Sequence, residues 1–424
     1  MNEVLSLWTE WVKPSAGLPT VQWSILLALA AAAGHLVQRY TGLPKVIGYS
    51  AVGTVAGLAG FTGAVWPLQG TGLFLLELGV AVVLFEAGGR ISLRWFRHNP
   101  MLLVQSLLES ALTYAAVYWA MRLMGMRDTI AQPLALLAMA ASPAVLARVL
   151  IDTRASGPVS ERAMLLSTLS TLYALTLCSA SAGMMGQGQY ALPVMGLKDT
   201  FLPVLVVLGL SVLVALVLAV TMQIALRVMN PASENTAILL LALIAAGAAL
   251  AAHFGGSAPL AALLGGMLLK HLNPRPWSWP RQMGTASSML TMLMFVLVSV
   301  VAAQGNWRGP VASLVLALIA ARIFAKIVGV ALGNPRSGAS WQQALWVACA
   351  MLPMSSVALL LLSQFVLASP ALGRQIADVA LPAILLMELL GSVLATAAIY
   401  RAGESSKPQP LLSRLSFKGR IHES

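Results

Sequence analysis

Ser160 to Ala182 reads SERAMLLSTLSTLYALTLCSASA. Its apolar content is that of a bilayer span, since a helix crosses the hydrocarbon core in roughly 20 residues. It nevertheless carries Ser167, Ser170 and Thr171. These fall at i, i+3 and i+4 and share one helical face. A hydroxyl stripe at bilayer depth either grips a neighbouring helix or lines a polar site. Reading the stretch as a span decides the fold class, because apolar runs of the same kind recur along the whole chain.

Of 424 residues, 58% are hydrophobic and 9% charged, against about 25% charged in an ordinary soluble domain. The runs are continuous rather than alternating, which excludes a membrane β-barrel. The fold class expected is an all-α polytopic membrane protein. Thirteen candidate spans fall near 21–38, 44–61, 71–90, 101–121, 130–150, 161–184, 201–227, 236–253, 256–272, 283–303, 309–332, 341–367 and 376–399. The expected organisation is an N-terminal extracytoplasmic tail over 1–20, a transmembrane domain over 21–400 and a basic cytoplasmic tail over 401–424. That tail contains Pro408 and Pro410 and is expected to be disordered or to lie on anionic lipid.

The net charge of +12 is carried by basic residues at the ends of apolar runs. This placement is topological and gives no nucleic-acid signal. With the N-terminus outside, eighteen Lys and Arg fall on cytoplasmic connections and six outside, while Arg322 and Lys326 fall within a span. Such a bias predicts an N-out, C-in, multi-pass protein of the cell membrane, of the bacterial inner-membrane kind. Met1 to Pro19 carries Glu3 and Glu10 before the first apolar run, unlike a cleavable secretory signal. Cys178 and Cys349 lie inside spans and imply no disulfide framework or metal cluster. The five histidines show no metal spacing, and no nucleophile motif or phosphate loop is present, so neither an enzyme nor a cofactor is expected.

Two spans resemble each other: MAASPAVLARVL with Pro143, and CAMLPMSSVALLLL with Pro353. Each proline removes a backbone donor among small or hydroxylated neighbours, which permits either a kink or a local unwinding. Interrupted helices at matching places in two halves of a chain point to a transporter's binding site. Intramembrane charge is the other signal, because an unpaired charge at bilayer depth costs several kcal/mol. The candidates are Glu77 and Glu86 in the third span, Glu109 in the fourth, Arg322 and Lys326 in the eleventh and Glu388 in the last. Arg322 and Lys326 are i, i+4 and share a face. Glu77 and Glu86 are nine residues apart and point to opposite sides of their helix, so one carboxylate at most is expected to face Arg322. Arg322 reads equally as half of a helix-locking ion pair and as a transport element.

Several stretches carry a resemblance in consistent order. They are GLPKVIGYSAVGTVAGLAG (Gly42–Gly60), ELGVAVVLFEAGGRI (Glu77–Ile91), SPAVLARVL (Ser142–Leu150) and GPVSERAMLLSTLSTLYA (Gly157–Ala174). FGGSAPLAALLGGMLL (Phe254–Leu269), MFVLVSVV (Met294–Val301), ARIFAKIVGVALG (Ala321–Gly333) and LMELLGSVLATAAI (Leu386–Ile399) follow. Together they resemble the monovalent cation:proton antiporter superfamily, the sodium/hydrogen exchanger family. The resemblance implies thirteen helices in two inverted repeats and a homodimer. It implies a mobile core of spans near 101–184 and 309–399, whose fifth and twelfth spans cross at unwound centres near Pro143 and Pro353. It also implies a pairing of Glu86 with Arg322, with Lys326 and Glu388 at further polar positions. Glu77, Glu109 and Glu388 are the secondary acidic candidates.

The chain departs from the family where the sixth span usually carries an Asp-Asp or Asn-Asp pair: Ser170 and Thr171 stand there, and Ser142 stands where many exchangers have Asp. Exchange at one site needs a group that is charged when it holds a cation and neutral when it holds a proton. Hydroxyls ligate hard cations but do not titrate in the physiological range. The primary expectation is secondary antiport of Na⁺ or K⁺ against protons by elevator-like alternating access. Ser142, Ser170 and Thr171 would supply oxygens, Glu86 the acid and Arg322 its counter-charge. The alternatives are a transporter of the same fold for an anion or organic solute, and a transport-inactive, sensor-like homologue.

Overall fold

Every peptide group crossing hydrocarbon must find its hydrogen bond within its own segment or in protein around it. The computed structural model meets that demand with helices. It describes residues 18–61, 63–91, 100–186, 197–230, 233–273, 281–305, 307, 309–335 and 337–406. Among these there is no strand, and the one β-type pairing is an isolated bridge between Ala155 and Ser405. The tail expected over 1–20 lies outside the described residues except for Leu18–Thr20, which already belong to the first helix.

In chain order the helices are α1 (Leu18–Thr41), α2 (Lys45–Leu58), α3 (Gly70–Gly89), α4 (Pro100–Leu123), α5 (Asp128–Met139), α6 (Pro143–Thr153), α7 (Pro158–Gly186) and α8 (Leu197–Val228). There follow α9 (Glu234–His253), α10 (Ala258–Leu272), α11 (Arg281–Ala303), α12 (Pro310–Leu332), α13 (Trp341–Ala350), α14 (Ser356–Ala368) and α15 (Pro370–Arg401). Helix occupies each of the thirteen apolar stretches expected. Among the described residues, with Asp128–Thr153 taken as one, ten helices are long and apolar enough to cross a membrane, and α10 and α14 are shorter apolar helices.

Burial sorts them. In the most apolar stretches of Asp128–Thr153 and α7, 78% of residues are buried, and in α15 72%, against 28% in α8 and 17% in α1. The interior therefore belongs to α5, α6, α7 and α15, while α1 and α8 present apolar side chains outward. Two glycines let backbones close up around this interior. A Cβ on Gly329 of α12 would lie 2.5 Å from Glu109 Cα on α4, and one on Gly391 of α15 would lie 2.6 Å from Pro353 Cα. Only a residue without a side chain permits either approach.

The last described residues fold back onto α7. The Glu404 carboxylate accepts from the backbone amides of Val159 and Ser160, both at 2.7 Å, and from Ser160 Oγ at 2.6 Å. Ser156 N donates to Glu404 O at 3.1 Å, and Ser405 Oγ and Ser406 Oγ donate to Thr153 O and Arg154 O at 3.0 and 2.7 Å. A carboxylate here satisfies unpaired first-turn donors and complements the positive end of the helix dipole. Of the tail expected over 401–424, Glu404, Ser405 and Ser406 are docked in this way, and 407–424 lie outside the described residues.

Candidate functional site

The two proline motifs both interrupt helix. α5 stops at Met139, residues 140–142 are non-helical, and α6 starts at Pro143. Pro143 sits in the first turn, where its missing N–H has no partner to lose. Ser142 is the N-cap, its hydroxyl accepting from Val145 N at 3.4 Å. In the second motif α13 stops at Ala350, residues 352–355 are non-helical with Pro353 among them, and α14 starts at Ser356. Each break exposes unpaired carbonyls at the negative end of a half-helix.

Arg322 binds both breaks. It is fully buried on α12. Its Nε donates to Ala138 O at 2.9 Å, Nη2 to Ala140 O at 2.8 Å and Nη1 to Leu352 O at 2.6 Å. One planar guanidinium fork therefore holds the C-terminal end of α5 and the break after α13 together. One turn on, Lys326, also fully buried, pairs with Glu109 of α4 and reaches Met139 O at 3.4 Å. Glu109 further accepts from Ser110 Oγ and Thr113 Oγ1, each at 3.2 Å. The shared face of Arg322 and Lys326 is as expected.

The expected pairing of Glu86 with Arg322 is not formed. Glu86 is part-exposed near the end of α3, bonded to Arg90 Nη2 at 2.7 Å and Ser287 Oγ at 3.0 Å. At i, i+4 on a helix end, Arg90 is the nearer cation, and Arg322 is committed to carbonyls. Glu77 is half-buried on the same helix. Neither of these acids is brought to the breaks.

The α7 hydroxyl stripe is buried throughout. Thr171 Oγ1 donates to Ser167 O at 2.7 Å and lies 3.0 Å from Ala141 O, in the first break. Ser170 Oγ turns back to Ser167 O at 3.2 Å. Ser167 Oγ, and Ser356 Oγ at the start of α14, are buried with no partner among the described residues. Farther along, Ser179 Oγ donates to Gln364 Oε1 of α14 at 3.1 Å. The stripe both grips its neighbours and leaves a polar atom unspent beside the break. A cavity of about 410 Å³ is lined by Arg90, Leu150, Gly157, Ser160, Glu161 and Met164, among others. It runs along the α7 face that continues, one turn on, to Ser167 and Thr171.

A second constellation was not legible beforehand. Glu388 of α15 is fully buried. Ser50 Oγ of α2 and Ser299 Oγ of α11 (3.0 Å) donate to its Oε1, and Ser355 Oγ of the second break donates to Oε2 at 2.5 Å. Among the described residues no Lys, Arg or His forms an ion pair with it. The traces in the sequence are Glu388 itself, an acid inside the last span, and Ser299, a lone hydroxyl within MFVLVSVV. Their meaning depends on which helices α15 packs against.

No curated protein matches the chain. The fold matches solved structures of the sodium proton antiporter MjNhaP1 from Methanocaldococcus jannaschii. One, at pH 8, has a TM-score of 0.71 and 14% identity, covering 91% of this chain and 100% of that one. A second, from electron microscopy, has a TM-score of 0.64 and 14% identity, covering 93% and 100%. The family profile "Sodium/hydrogen exchanger, transmembrane" matches residues 25–399. With two interrupted helices held at their breaks by one buried arginine and a family match over most of its length, the chain is a multi-pass membrane protein that belongs to the sodium/hydrogen exchanger family.

Proposed function

We propose that this protein is a secondary antiporter exchanging Na⁺ or K⁺ for protons by elevator-like alternating access, in the cell membrane, with its N-terminus outside and its C-terminus in the cytoplasm. The observation that carries the reading is the pair of breaks joined by Arg322. With the carbonyls of both half-helices neutralised by one guanidinium, the core expected from the sequence, α4 to α7 and α12 to α15, moves as a unit. The crossing then travels past the surrounding helices without opening its own polar contacts. Ser142, Ser170 and Thr171 offer oxygens beside the first break, and the cavity at the Arg90 end reaches Met164, one turn short of Ser167 on α7. Lys326 and Glu109 neutralise each other within the moving unit, where an unpaired charge would be costly. A homodimer through the outward-facing helices fits this mechanism.

The test is purified protein in liposomes carrying an imposed pH gradient. Addition of Na⁺ or K⁺ is expected to collapse the gradient, and absence of any cation-dependent collapse overturns the reading. One observation favours a second reading. Arg322 and Lys326 face only Glu109, a net charge of one positive, and the N-terminal ends of α6 and α14 favour anions. Solute-driven uptake insensitive to Na⁺, K⁺ and Li⁺ would establish transport of an anion or organic acid instead.

A further inference from the structure

The antiport reading needs an acid that alternates between charge states, and beside the first break α7 offers only hydroxyls, its one acid, Glu161, lying in its first turn. Two fully buried carboxylates lie on helices of the proposed moving unit. Glu109 is committed to Lys326, which removes it as a free exchanger. Glu388 has no ion-pair partner among the described residues, and its surroundings are all oxygen: Ser50, Ser299 and Ser355. We propose that Glu388 is the proton-exchanging carboxylate of the transport cycle, and that with these three hydroxyls it forms a cradle taking a small monovalent cation in alternation with a proton. This rests on the antiport reading and supplies the group that reading lacks.

The chemistry suits the task. An ionised carboxylate accepts from all three hydroxyls, which offsets part of the cost of burying its charge. Each hydroxyl has a rotatable hydrogen and two lone pairs. When a cation enters, the hydroxyls turn their hydrogens away and offer oxygens, and carboxylate plus cation is neutral. When a proton binds an Oε atom instead, the carboxyl is neutral and the same hydroxyls accept from it or hydrogen-bond weakly to it. Both loaded forms carry no net charge, so both are able to move through a low-dielectric interior, and the empty charged form is not.

The position matters as much. Ser355 belongs to the break that Arg322 holds through Leu352 O, and Gly391, one turn beyond Glu388, abuts Pro353. Glu388 therefore sits at the crossing itself. Ser50 and Ser299 come from α2 and α11, outside the proposed moving unit, so the cradle straddles the sliding boundary. Charged groups on the helices packed against α15 have other partners. Arg322 holds backbone carbonyls, Lys326 holds Glu109, Arg148 of α6 lies 3.4 Å from Asp152, and Asp128 of α5 lies 2.9 Å from Arg122. Lys45 and Tyr49 of α2 and Cys349 of α13 are the other titratable side chains described on these helices, and none forms an ion pair with Glu388. Lys45 stands at the start of α2, more than a turn before Ser50.

The experiment uses full-length protein in liposomes over a series of pH values. Glu388→Gln is expected to lower cation-dependent proton flux by more than about tenfold, while Glu388→Asp retains flux with a displaced pH profile. Ser50→Ala with Ser299→Ala is expected to raise the half-saturating cation concentration about three- to tenfold. If Glu388→Gln melts like wild type and exchanges at the wild-type rate with the same pH profile, Glu388 is a structural clamp and the assignment falls. Should Glu388→Gln fail to fold, wild-type protein is treated with a carbodiimide, which modifies protonated buried carboxylates. Modification of Glu388 that Na⁺ or K⁺ suppresses supports the assignment, and modification indifferent to cations, or none, overturns it. A wild type inactive with every cation overturns the antiport reading itself, whereas an active wild type with an unaffected Glu388→Gln overturns this assignment alone.

Discussion

At the residue scale, Lys326 and Glu109 show how much depends on partner choice. Both are wholly buried, so removing one leaves the other as an uncompensated charge, at a cost of about 3–5 kcal/mol. Lys326→Met is therefore expected to lower stability by about that amount, and Lys326→Met with Glu109→Leu to recover most of it. Thermal melts of the single and double variants in detergent check this, and additive losses would dissociate the pair. The sequence placed Arg322 and Lys326 on one helical face, because i, i+4 spacing is local geometry. It did not say which acid each would meet. Glu86 was paired with Arg322 by family resemblance, but Arg90 lies one turn along its own helix and Ser287 lies across from it. Glu388 drew no special weight, since its three donors come from positions 50, 299 and 355, brought together by packing alone.

At the element scale, the breaks were legible for a simple reason. Pro143 and Pro353 stand among small or hydroxylated neighbours at matching places in the two halves, which points to interruption, whereas Pro133, Pro203 and Pro382 lie inside continuous helix. Their different uses were not legible: Pro143 opens α6, while Pro353 lies within the non-helical stretch before α14. Helix spacing was equally hidden, because a glycine inside a span reads the same whether it meets lipid or another backbone. Gly329 meets Glu109 Cα. Gly329→Val is expected to push α12 away from α4 and destabilise by about 1–3 kcal/mol or more, read as a lower melting temperature. An unchanged melt would mean that the two helices separate freely at that point.

At the scale of the whole molecule, the positions of the apolar stretches specified the helices almost completely, since satisfying backbone groups in hydrocarbon leaves few other structures. The end of the chain is less legible: a polar, basic segment with Pro408 and Pro410 reads as disordered or lipid-bound, and only packing shows which helix start Glu404 meets. Glu404 serves the start of α7, the helix bearing the hydroxyl stripe, from a point just beyond α15. Glu404→Gln is expected to lower stability by about 1–2 kcal/mol through loss of charge-assisted bonds to first-turn amides. A melting temperature equal to wild type would show the contact to be idle. For anyone building with this protein, a fusion partner or affinity handle joined upstream of Glu404 would separate its carboxylate from α7, so a handle at this end has to leave residues 404–406 in place.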